Sequence, residues 1–257
     1  DAINNALSEG GDVFFPAGTY LISSPIIVNH ESNIIGSGIG ISKIKMVSSG
    51  SYSTIDISES NIILSGLSLI GPTPNVEYIA YEIAIFAYSS GKFLKNIYIY
   101  DCEISNYGYS AIWLRRVSDS EISGNRIIRI GYRGISCLSC NNTIVENNVI
   151  QSISPGDPTR KNAYGITFTH RYSEPTKDDP ISSHCIASGN IIRDIPTWEG
   201  LDTHTGSYIT FANNIIHGCR VGIMAGAVEN PSFTLEKITI TGNIINAGNV
   251  ANRDHGI

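Results

Sequence analysis

The chain has 257 residues, 42% of them hydrophobic, and a formal net charge of −6. That is apolar enough for a core. The acidic balance argues against nucleic acid as a partner, and no apolar run approaches the roughly 18 residues of a membrane span. Cys102, Cys137, Cys140, Cys185 and Cys219 are odd in number and hold one lone CxxC, at 137 and 140. They read as buried free thiols rather than a metal site.

The opening 30 residues predict a capping helix near Ala2–Leu7, ended by Gly10-Gly11. A strand at Val13–Phe15 and a turn at Pro16–Thr19 follow. So short a helix is marginal alone and gains stability by plugging the first coil. Further on, one phrase recurs: SEISGNRIIRI, TIVENNVIQSI, CIASGNIIRDI, ITFANNIIHGC and ITITGNIINAG, centred on Asn125, Asn148, Asn190, Asn214 and Asn243. The register reaches back to Cys102 and Leu67, with steps of 35, 23, 23, 42, 24 and 29 residues. Repeats of roughly 20–30 residues, rich in Ile, Asn and Gly, predict a parallel β solenoid with three short strands per coil. The expected fold is all-β, a single-stranded right-handed parallel β-helix forming one domain over 1–257. Its asparagines should ladder from coil to coil. A start without Met and a stop at His255-Gly256-Ile257, inside a strand pattern, read as a segment of a longer protein.

After each asparagine phrase comes a strand introduced by glycine, at Gly134, Gly165, Gly200, Gly222 and Gly256, with Ala111 in the same slot. These glycines predict a bend or bulge. Alternation then places Trp113, Ser136, Thr167, Asp202 and Met224 outward, with His204 and Thr169 on the same face. Ile112, Ile135, Ile166, Leu201 and Ile223 point into the core. The 42-residue step carries two polar inserts across 154–183, immediately before the Asp202 strand; long excursions on a rigid scaffold usually build a binding wall.

The opening DAINNALSEGGDVFFPAGTYLISSPIIV and the following NIIGSGIGISKIKM resemble the pectate-lyase-like superfamily, a pattern shared with phage tailspike depolymerases. Further on, Gly200-Leu201-Asp202-Thr203-His204, and the stretch through Ile257, resemble the mannuronan C5-epimerases. The resemblance implies that Asp202 and His204 match that family's catalytic pair and His255 its downstream histidine. Glu199 stands where the epimerases have tyrosine and Thr203 where they have proline, and Arg253-Asp254-His255 departs from their Asp-Arg-His order. The implied setting is extracellular or a virion tail, with a homotrimer if the chain is tailspike-like.

An imidazole and a carboxylate two residues apart on an outer strand suit acid/base chemistry. For lyase or C5-epimerase action on an acidic polysaccharide, His204 is the acid/base and Asp202 orients it. Arg171 neutralises substrate charge, ahead of Arg160, Lys161 and Arg220, while Tyr164 stands in for the absent tyrosine and His255 completes the far side. Glu199, Thr167, Thr169, His170, Lys161, Arg220 and Arg253 are candidate substrate contacts. A hydrolase reading pairs Glu199 with Asp202, although the Asn-Thr-Asp and Gly-His-Gly phrases of polygalacturonases are missing. A non-catalytic glycan-binding solenoid is the third reading. No cofactor is indicated with certainty; Asp157, Asp178 and Asp179 are candidates for Ca²⁺.

Overall fold

The computed structural model describes residues 2–75, 77–156, 159, 162–170, 176–226 and 235–246. The chain winds into stacked coils whose strands pair only in parallel, each with the equivalent strand of the next coil. Three walls result. The first runs from Val13–Phe15 to Thr239–Thr241 as one sheet. The second and third belong to one 15-stranded sheet, because Ile191–Thr203 and Ile215–Ala225 pass unbroken from one wall to the other. Among the described residues the only helix is Ala2–Ser8. It covers the first coil with Leu7 buried, and Asn4 bonds Pro25 O and Ile27 N.

Apolar side chains of all three walls fill the interior as one column. A coil cannot bury that face alone; its neighbours above and below do so. At the corner between the first two walls the expected amide ladder is present. Asn125, Asn148, Asn190 and Asn214 each donate Nδ2 to the Oδ1 of the next asparagine at 2.9–3.0 Å, ending on Asn243. The same oxygens accept the backbone N–H of the preceding coil, so every amide is spent. All five cysteines are free and buried.

The slot glycines correct the expectation of a bend. Gly134, Gly165 and Gly200 lie within strands, and a Cβ on each would collide with the carbonyl of the glycine stacked beneath it and with an isoleucine of the second wall. Their role is close approach, not a turn. No described helix is long and apolar enough to cross a membrane.

Candidate active site

Across the third wall Phe86, Trp113, Ser136, Thr167, Asp202 and Met224 are successive Cα partners. The adjacent line Ile85, Ile112, Ile135, Ile166, Leu201 and Ile223 is fully buried. Alternation thus places Asp202 on the outer face. It does not open it to water, however: Asp202 and Glu199 are each 1% exposed, whereas the His204 side chain keeps 28%. An aspartate facing a groove is therefore corrected to one roofed by its neighbours. Thr167 Oγ1 donates to Asp202 Oδ2 from the preceding coil, and Tyr164 of that coil is the Cα partner of Glu199.

Strict alternation would send Glu199 and Asp202, three residues apart, to opposite faces. The pairing skips Gly200 on both sides while Glu199 and Leu201 stay paired, so the alternation is interrupted between the two carboxylates. Both carboxylates then converge on one imidazole. His204 Nε2 lies 3.3 Å from Asp202 Oδ1 and 3.6 Å from Glu199 Oε2. Among the described residues neither Glu199 oxygen nor Asp202 Oδ1 has a conventional hydrogen-bond partner, and ion pairing to His204 offsets their burial.

Burial pushes the Asp202 carboxyl up to about 7; the Glu199 charge adds to this, while His204 opposes it most strongly. His204 is raised to about 9, first by its interaction with Glu199 and then by the Asp202 charge, against the pull of burial. The imidazole is thus a held cation near neutral pH, and the only one of the three that meets solvent. Burial, reinforced by Asp202, also raises the Tyr164 phenol well above its ordinary range; its oxygen accepts from Asn162 Nδ2 at 3.0 Å.

Candidate ligand atoms of Glu199, Asp202 and His204 lie within 4.8 Å of one another, close enough to share an ion. A set of one imidazole and two carboxylates suits a transition-metal ion better than Ca²⁺, which prefers oxygen alone. Asp179, offered for Ca²⁺, is committed elsewhere. It forms a buried bidentate pair with Arg115, with Nε–Oδ1 at 3.1 Å, and Asp178 is exposed. This pair fastens the second insert to the outer wall.

The remaining candidates divide. His170 is buried, with Nδ1 2.6 Å from Thr205 Oγ1, and Thr169 meets the same hydroxyl at 3.2 Å; both tie the exit corner together. Arg220 lies over the Trp198 ring, 5.4 Å from its centroid. Lys161, Arg171, Arg253 and His255, with Arg160 and Asp157, lie outside the described residues. The cation missed from the sequence is Arg133, whose charge acts on Asp202 and which lies 4.2 Å over Tyr132. A signal for it existed. Arg133, Tyr164 and Glu199 each precede a slot glycine, and the pairing stacks all three.

Residues 1–77 match the family model described as rhamnogalacturonase A/epimerase, pectate lyase-like. No curated protein matches the chain by sequence. Among solved structures, the catalytic unit of a GH87 α-1,3-glucanase from Streptomyces thermodiastaticus superposes with a TM-score of 0.72 at 19% identity, over 95% of this chain and 43% of that one. Tailspike protein 2 of bacteriophage CBA120 gives 0.60 at 15% identity, over 96% and 40%. The A-module of an Azotobacter vinelandii mannuronan C-5 epimerase gives 0.62 at 17% identity, over 96% and 71%. The chain spans about two fifths of the length of the first two. Its fold is the right-handed parallel β-helix that pectate-lyase-like enzymes, epimerases, GH87 glucanases and tailspike depolymerases share.

Proposed function

We propose that this chain carries the reaction centre of a carbohydrate-active β-helix enzyme that cleaves a polysaccharide by acid/base hydrolysis. The observation that carries the reading is the convergence of Glu199 and Asp202 on His204 Nε2, with His204 alone exposed. A protonated imidazole at the lip of the cluster gives its proton to the glycosidic oxygen as the bond breaks. The two carboxylates hold the imidazolium beforehand, and afterwards accept the proton of the incoming water through the same imidazole. The described residues supply this chemistry unaided, and the likeness of fold to a GH87 α-1,3-glucanase is compatible with it.

The second reading is β-elimination or C5-epimerisation of a uronate polymer. It is favoured by Tyr164, a phenol beside both carboxylates, and by the Gly200–His204 phrase. Elimination needs the substrate carboxylate neutralised. The described cation with a charge acting on Asp202, besides His204, is Arg133.

Incubation with neutral and uronate polysaccharides separates the readings. New reducing ends without ultraviolet-absorbing unsaturated sugars support hydrolysis, unsaturated products support elimination, and a changed uronate composition without cleavage supports epimerisation. Binding without any product leaves the glycan-binding solenoid. His204→Ala should cost about 10²–10⁴ in rate, the usual loss for a general acid/base; full activity in both His204→Ala and Glu199→Gln sinks the site.

A further inference from the structure

Beside this cluster, on the N-terminal coils of the same wall, lies an aromatic surface that the chemistry above leaves unused. We infer that it is a binding cleft for a neutral hexopyranose chain leading to His204, an inference that rests on the carbohydrate reading of the cluster. The cleft encloses ≈ 280 Å³, with Tyr81, Phe86, Tyr88 and Trp113 among its lining. Its aromatic side packs as a second hydrophobic cluster outside the solenoid core. A core needs no such layer; a sugar does, because the C–H faces of pyranose rings lie on aromatic rings while their hydroxyls stay wet.

Tyr81 is the clearest sign of purpose. It is 47% exposed, stacked on Tyr109 and Trp113 with interplanar angles of 27° and 17°, and held at φ +62°, a left-handed backbone that bulky residues rarely adopt. Its half-exposed ring offers a flat face of the kind on which a pyranose ring stacks. Beneath the cleft, a largely buried aromatic layer continues to the cluster. Trp113, Tyr109, Tyr132 and Tyr164 follow one another at centroid spacings of 5.1–5.7 Å, and Tyr164 adjoins Asp202 and Glu199. Three coils separate Trp113 from Asp202, a span of about 14 Å at the spacing of paired strands. The occupant is therefore a chain of several rings lying along the solenoid axis.

Charge selects its class. Arg115, the one cation of the cleft lining among the described residues, is already matched by Asp179, and Asp56 stands beside Phe86 in the preceding coil. A polyuronate would bring its carboxylates against an acid and a spent guanidinium, whereas a neutral glycan brings hydroxyls that both groups can bind.

The test uses affinity electrophoresis of the Glu199→Gln chain through neutral gluco-, manno- and galacto-polysaccharides and through alginate and pectate. Retardation by at least one neutral polymer is expected. It should fall at least 10-fold in the Glu199→Gln/Tyr81→Gly double variant, whose circular dichroism should still show the folded solenoid. Retardation confined to the uronate polymers overturns the inference, as does no retardation anywhere. So does retardation unaffected by Tyr81→Gly and by Phe86→Ala. Product release by the unaltered chain is scored separately. Products with Tyr81-independent retardation spare the cluster and remove the cleft; Tyr81-dependent retardation without products does the reverse.

Discussion

His204 differs from a surface histidine in having two buried carboxylates within ion-pair reach and little more than a quarter of its own side chain still wet. The activity should follow a bell: it rises as Asp202 ionises near 7 and falls as His204 loses its proton near 9. His204→Gln should abolish the alkaline limb of any residual rate, which a pH–rate profile measures. Stability carries the same protons. Both groups are raised on folding, so each contributes stability that is full below its unfolded value and lost as pH climbs through its folded value. That window runs from 3.8 to about 7 for Asp202 and from 6.5 to about 9 for His204. The unfolding temperature should therefore decline across it. Asp202→Asn removes the cost of ionising a buried carboxyl, so above pH 7 it should raise the unfolding temperature while lowering activity; a drop in both contradicts the account.

Within the elements, the amide ladder and the tilted strand at 191–203 teach opposite lessons about legibility. The ladder was readable because it repeats: five asparagines in one phrase can occupy only one corner of stacked coils. Asn190→Ala would strand the backbone N–H of Asn148, which is bonded to Asn190 Oδ1. A single buried orphan costs about 1–3 kcal/mol, measurable by denaturant titration, whereas Asn213→Gly, at an exposed position already at φ +56°, should be near neutral. The convergence of Glu199 with Asp202 was not readable, since period-two alternation forbids it and only the interruption of the pairing at Gly200 permits it. Arg133 was hidden differently. Its distance in sequence from Asp202 conceals a stack of consecutive coils, and the aromatic layer escaped for the same reason. Asp202 was correctly assigned to its face, but facing outward on a wall is not the same as being wet when neighbouring coils carry side chains large enough to roof it.

At the scale of the whole molecule, the second insert is held to the wall by Arg115 and Asp179, both nearly fully buried. Asp179→Ala takes the carboxylate from a buried guanidinium, a loss of about 3–5 kcal/mol in such pairs. It should loosen the insert while leaving the coil signal in circular dichroism; limited proteolysis between residues 170 and 183 would report it. The frame itself is indifferent to what hangs from it. Asn125 bonds Asn148 across 23 residues, and Asn148 bonds Asn190 across 42, with side-chain distances of 3.0 Å in both cases. Chain can thus be spliced in or trimmed away in either insert flanking the Tyr164–Thr169 strand, which itself pairs with both neighbouring coils, without either asparagine registering the change. Recognition and scaffolding are separately editable, and a graft in either insert could redirect the molecule to another polymer while its spine stays as it is.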